Sequence, residues 1–365
     1  MLRPRLYDFH DSQSLAIKWR TTLTKVLQPR ISSITAILAF TGLLILFATQ
    51  PASAQTLKAL YSFTGAADGG DPFPAVIRDA AGNLYGTTDY AGTAYAGVVF
   101  KVSKTGQETV LYNFCSLASC TDGQYPYAPL VRDAAGNLYG TTQYGGTSNL
   151  GVVFKISKAG KEIVLHTFTG GANDGSEPAS ASFYSDTKGN LYSVTSQGGT
   201  SGEGVLYKLT PKGKLTVLHN FAAGTTDGCY PYGTPAVDAH GNMYGGTGGC
   251  GTSNLGVVWK LSKNGTETIL HNFAGASDGQ SPLAGVILDA AGNIYGTTNT
   301  GGASGFGTAF EVNKNGKFIL LHTFTGGTDG KYLYGGLILD PKGRIYGTTI
   351  NGGTGGYGTV WRITK

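Results

Sequence analysis

A ten-residue phrase, DAAGNLYGTT, stands unchanged at Asp79–Thr88 and Asp133–Thr142 and returns as DAAGNIYGTT at Asp289–Thr298. Its tyrosine recurs as Tyr85, Tyr139, Tyr192, Tyr244, Tyr295 and Tyr346, at spacings of 54, 53, 52, 51 and 51 residues. Regular self-similarity of this period restricts the chain to repeat architectures. Each of the six units holds four short segments with strand character, such as APLVRD, NLYGTT, GVVFKISK and KEIVLHTF, separated by Gly, Asp, Asn or Lys-Gly. None has a helical period. Four strands in about 50 residues match the blade of a β-propeller, whereas a β-solenoid needs shorter rungs.

With the four strands named a to d in that order, the repeat region opens on a d-like segment, LKALYSF at Leu57–Phe63. It ends on a c-like one, GTVWRITK at Gly358–Lys365. The expected fold is therefore all-β: a six-bladed β-propeller of four-stranded blades in residues 55–365. The N-terminal strand pairs into the last blade, which closes the ring and hides two sheet edges. Asp79, Asp133, Asp186, Asp238, Asp289 and Asp340 end the a strands, each followed three residues later by glycine. That spacing predicts a type I turn with a bulge, the aspartate accepting local amides and the glycine supplying positive φ. One carboxylate per turn is too few ligands for calcium.

The first 54 residues differ in composition from the rest. Six Lys/Arg up to Arg30 precede the uncharged ISSITAILAFTGLLILFATQPASA, and Ala52-Ser53-Ala54 supplies a small-x-small cleavage pattern before Gln55. This predicts a signal peptide with a long n-region, cleaved before Gln55, with membrane contact only if it is instead kept as an anchor. It also carries most of the basicity. Six of the 27 Lys/Arg and two of the 22 Asp/Glu lie in it, leaving 21 against 20. Without a basic run or stripe the repeats have no electrostatic footprint for nucleic acid or anionic membrane. Four cysteines in an exported chain predict disulfides, Cys115–Cys120 within one loop and Cys229–Cys250 between adjoining loops on one face of the propeller.

DAAGNLYGTT, GGTSNLGVVFKISK and TVLYNF, in that order and repeated six times, resemble the bacterial tandem-repeat family called GloVer, of Gloeobacter/Verrucomicrobium type. The resemblance covers residues 56–365. It implies an exported or surface-displayed repeat protein in which a signal peptide precedes the repeats, and it transfers no reaction and no catalytic residues. Family members often carry a surface-sorting anchor after the repeats; here Lys365 follows the last strand directly. The DxxGNLY turn is also similar to that of NHL-type propellers.

In a propeller the long d-to-a and b-to-c connections share one face. Each d-to-a loop here carries Asp-Gly, at Asp68, Asp122, Asp174, Asp227, Asp278 and Asp329. Their functional reading is a carboxylate ring at one mouth, and their structural reading is a tight turn. Aromatic residues share these loops: Phe73, Tyr125, Tyr127, Tyr230, Tyr232, Tyr332 and Tyr334, with Tyr90, Tyr95 and Tyr144 from the b-to-c loops. Exposed rings of this kind stack on sugars or anchor a protein, and their structural reading is packing between blades. The candidate ligand-binding set is Tyr125, Tyr127, Tyr230, Tyr232, Tyr332, Tyr334, Asp122, Asp227 and Asp329.

His166, His219, His271 and His322 take one d-strand slot per blade, which Tyr61 and Tyr112 fill elsewhere. Histidines of different blades stand too far apart to share a metal, so no metal site and no cofactor is expected. His240 reads as a solvated turn residue. The inner segments, from PAVI to GGLI, have almost no polar groups, and Glu177 and Glu203, the only glutamates in the long loops, are the pair that glycoside hydrolysis could use. The expected function is a monomeric, non-catalytic binding propeller for an extracellular glycan or surface protein, secreted, periplasmic or at the bacterial cell surface. The alternatives are a propeller hydrolase or lactonase working at the channel mouth, and a structural envelope component.

Overall fold

The computed structural model describes residues 59–178 and 181–364. These residues form six small antiparallel sheets set as the blades of a propeller, with one 3₁₀ turn at Ala118–Cys120. Blade one runs Ile77–Arg78, Leu84–Thr88, Val98–Val102 and Glu108–Asn113, paired in chain order. The outer strands of the next four blades are Glu162–Thr167, Leu215–Asn220, Glu267–Asn272 and Phe318–Thr323. The a strands are two residues long, shorter than the apolar runs suggest. Pro74, Pro129 and Pro235 stand one to three residues before those of blades one, two and four and have no N–H for a ladder.

The c strands form the core. Val98, Val99 and Phe100 are at most 2% exposed, and Val205, Leu206 and Tyr207 are fully buried, because each blade is covered on both faces by its neighbours. An aromatic residue after each d strand locks one blade to the next. Phe114 meets Phe154 at 4.9 Å, Phe168 meets Tyr207 at 5.6 Å and Phe273 meets Phe310 at 5.3 Å, all edge to face. Such pairs add about 0.5–1.5 kcal/mol to the burial itself. These rings also dictate the glycine of the repeated phrase. A Cβ on Gly86 would stand 2.6 Å from Phe100 Cζ, its cross-strand neighbour.

Among the described residues, blade six has three strands, Ile338–Leu339, Ile345–Thr349 and Thr359–Ile363. Tyr61 and Phe63 lie against blade one as Tyr112 and Phe114 lie against blade two, with Phe63 4.9 Å from Phe100. The expected ladder from that segment to Thr359–Ile363 is not formed among the described residues. Val360 is 82% exposed where Val99, Val153 and Val258 are fully buried. Leu57 and Lys58, which begin the expected closing strand, lie outside the described residues, as does the expected signal peptide, 1–54. No helix among the described residues is long and apolar enough to cross a membrane.

Candidate functional site

The repeated turn is built as its sequence implies, with one further element. Asp79 N–H donates to the Asn83 carbonyl, Gly82 N–H donates to the Asp79 carbonyl, and Gly82 sits at φ 89°. Asp79 Oδ1 accepts the Asn83 amide at 2.9 Å, while Oδ2 accepts Asn83 Nδ2 at 2.9 Å and Tyr85 Oη at 3.0 Å. Led by the Asn83 side chain, these donors hold the Asp79 carboxyl down at about 2. The same Asp–Asn–Tyr cradle recurs at Asp133, Asp186, Asp238 and Asp289. At Asp340 an arginine, Arg344, replaces the asparagine. The motif tyrosine thus wedges between blades by its ring and holds the turn by its hydroxyl. His240, in the fourth turn, has an 87% exposed side chain.

On the opposite face, each d-to-a loop pairs with the b-to-c loop of its own blade. The contacts include Gly70 with Tyr90, Gln124 with Tyr144, Gln280 with Thr300 and Lys331 with Asn351. In blade four this becomes a ladder of Gly228–Pro231 with Met243–Cys250, setting Cys229 opposite Gly249 and Gly228 opposite Cys250. Both expected disulfides are formed, Cys115–Cys120 and Cys229–Cys250.

The Asp-Gly carboxylates turn back on their own loops. Asp122, fully buried, accepts from Tyr112 Oη, from the Ser116 amide and hydroxyl, and from the Leu117 amide. Asp227 accepts the Ala222 and Gly228 amides, and Asp329 accepts the Thr325 amide, its hydroxyl and His322 Nε2. Burial works against the charge of Asp329, but the Thr325 and His322 donors lower its pKa overall. The d-strand ring and the loop aspartate are therefore neighbours in all six pairs, hydrogen-bonded at 2.7–3.1 Å in five and at a longer 3.4 Å between His219 and Asp227, a link hidden in the sequence because the two are seven or more residues apart.

The tyrosines divide by position. Tyr125, Tyr230 and Tyr332 have φ of 59°, 56° and 62°, and their amides donate across the blade boundary to Ala96, Glu203 and Phe306 carbonyls. They are the crossing points between blades. Two residues on, Tyr127 and Tyr334 line an axial cavity of 770 Å³ together with Phe73, Tyr184, Leu283 and Ile350, and residues of all six inner segments contribute to its wall. Tyr232 does not line this cavity; its ring lies beside Gly248, and burial, then the charge of Glu177, raises its hydroxyl pKa. Phe73 is 69% and Tyr334 49% exposed, and Phe73 packs edge to face on Tyr127. Tyr90, Tyr95 and Tyr144 lie in the b-to-c loops; the first two are 48% and 62% exposed. Glu177 takes a hydrogen bond from Gln197 Nε2.

The Gloeobacter/Verrucomicrobia repeat model matches residues 42–187 and 180–365. The chain belongs to that family. No curated protein matches it. Among solved structures, this Gloeobacter/Verrucomicrobia repeat protein is similar to a gluconolactonase of Xanthomonas campestris at 14% identity and a TM-score of 0.44, over 78% of this chain and 82% of that one. It is similar to the calcium-binding protein regucalcin of Agrobacterium tumefaciens at 13% and 0.39, over 77% and 83%. A luciferin-regenerating enzyme stands at 13% and 0.46, over 81% and 92%. Likeness at this level transfers neither site residues nor chemistry.

Proposed function

We propose that this repeat protein is an exported binding propeller whose axial cavity takes a neutral, hydroxyl-rich ligand, a segment of carbohydrate. The observation that carries the reading is the cavity wall. It is lined by Phe73, Tyr127, Tyr184 and Tyr334 among prolines, glycines and aliphatic side chains, with Thr234 and Thr348 as hydroxyl partners and no Asp, Glu, Lys, Arg or His among its described residues. A charged ligand entering such a cavity would lose water without gaining a counter-charge. A sugar ring presents apolar C–H faces to aromatic planes and hydroxyls to the few polar groups, and 770 Å³ is within the usual range of ligand sites. Export is supported by the N-terminal signal pattern and by two disulfides, which persist in oxidising compartments.

A glycan and polysaccharide binding screen of the full-length protein tests this reading, repeated with Tyr127→Ala and with Tyr334→Ala. Each change is expected to weaken binding by roughly tenfold, the loss typical of a truncated aromatic anchor. Binding that neither change affects would place the ligand elsewhere. Turnover of the bound glycan or of a sugar lactone would replace the binding reading with an enzymatic one, and capture of a surface protein with no glycan binding would move the site to the loop tips.

A further inference from the structure

The outer rim of the propeller repeats one slot whose occupants change from blade to blade. A d-strand ring bonds the Asp-Gly aspartate after it, and the first residue of the next blade's d strand stands beside that pair. Tyr61 with Asp68 has Glu108 as this neighbour, and Tyr112 with Asp122 has Glu162. His166 with Asp174 has Leu215, and His271 with Asp278 has Phe318, stacked at 3.8 Å. Between blades three and four, histidine and glutamate meet: His219, Asp227 and Glu267.

The geometry of this slot differs from the others. His166, His271 and His322 close on their aspartates to 2.9, 2.8 and 3.1 Å, as hydrogen bonds do. His219 Nε2 instead stands 3.4 Å from both Asp227 oxygens and 3.6 Å from Glu267 Oε2, and the three donor groups lie within 4.8 Å of one another. Tetrahedral ligands about 2.0–2.2 Å from a zinc-sized ion are themselves about 3.3–3.6 Å apart. The side chains of His219, Asp227 and Glu267 are only 18%, 10% and 14% exposed, and Glu267 Oε1 is sealed from solvent with no hydrogen-bond partner, as Glu108 Oε1 and Glu162 Oε1 are in the first two slots. Two shielded carboxylates thus share one ring nitrogen, an arrangement short of positive charge.

We propose that His219, Asp227 and Glu267 form a divalent transition-metal site of the zinc class, tying the outer strand of blade three to that of blade four. An imidazole among carboxylates suits zinc, manganese or nickel rather than calcium or magnesium, which prefer all-oxygen shells. Three protein ligands leave a fourth position facing the rim for water. Expectation from the sequence compared histidines with histidines across blades; the ligands here are one histidine and the acidic groups that packing brings to it.

Zinc chloride titrated into chelator-treated, full-length protein, followed by calorimetry and thermal unfolding, tests the site. One equivalent is expected to bind and to raise the melting temperature. Glu267→Gln and His219→Tyr are each expected to lower affinity by roughly tenfold or more. His219→Tyr reproduces the Tyr–Asp–Glu set of the first two slots, so its fold has a precedent in the same chain. His166→Tyr and His271→Tyr are expected to leave binding unchanged. Absence of zinc binding, binding unmoved by both site changes, or binding lost equally on His166→Tyr would overturn the proposal.

Discussion

Glu162 opens the outer strand of blade two with Oε1 shut away from water and without a hydrogen-bond partner. Burial, and then the charge of Asp122, pushes its carboxyl up to about 7. The folded protein therefore holds this proton more tightly than the unfolded chain does. The stability it brings is complete below the ordinary carboxyl range and lost as pH rises through about 7. Glu162→Gln, which keeps the neutral form at every pH, is expected to match the parent near pH 4. At pH 8 it should exceed the parent by about 1 kcal/mol after allowance for solvent screening. Urea unfolding at the two pH values checks this, and equal stability at pH 8 would contradict it. Asp79 is the opposite case, held low by donors its own turn supplies. The sequence announced Asp79, because its partners are at most six residues away. It was silent on Glu162, whose environment belongs to the neighbouring blade.

At the scale of the element, the hairpin and the loop pair carry the design. The a-to-b turns were legible because Asp and Gly at fixed spacing specify a local backbone shape. The joining of d-to-a and b-to-c loops was legible only after the blade had been assigned, since it is a consequence of face, not of spacing. Cys229 and Cys250 lie 21 positions apart, and Cys115 and Cys120 five. If the cross-links act by restricting the unfolded chain, replacing the first pair by serines costs about 3 kcal/mol and the second about 2 kcal/mol. Melting of the two double variants against the oxidised parent measures the order, and a larger loss from the Cys115–Cys120 pair would refute this account.

For the molecule as a whole, the ring is a chain of aromatic contacts with a seam. Phe114 is fully buried between blades one and two, while Phe63 makes the equivalent contact with Phe100, and among the described residues no fourth strand pairs with Thr359–Ile363. Phe114→Ala is expected to cost about 3–5 kcal/mol, the range for a buried aromatic, and Phe63→Ala clearly less. Denaturant unfolding of both variants decides the matter; equal losses would show that the edge of blade six is covered in solution. The axial cavity belongs to this scale too, since all six inner segments contribute to its wall.

Period, turn chemistry and strand character are local, so the sequence alone determined six blades, their strand order and the DAAGN hairpin. It also named the tyrosines of the long loops without separating them. Tertiary structure decided that Tyr127 and Tyr334 reach the axial cavity while Tyr125 and Tyr332, two residues earlier, serve the crossing between blades. It also turned the Asp-Gly carboxylates inward to a ring on the preceding strand and set Glu267 beside His219, 48 residues away in the chain. The physical reason is common to all three. A side chain's direction follows from its backbone's place in the sheet, but its partners follow from which blade comes to rest against it.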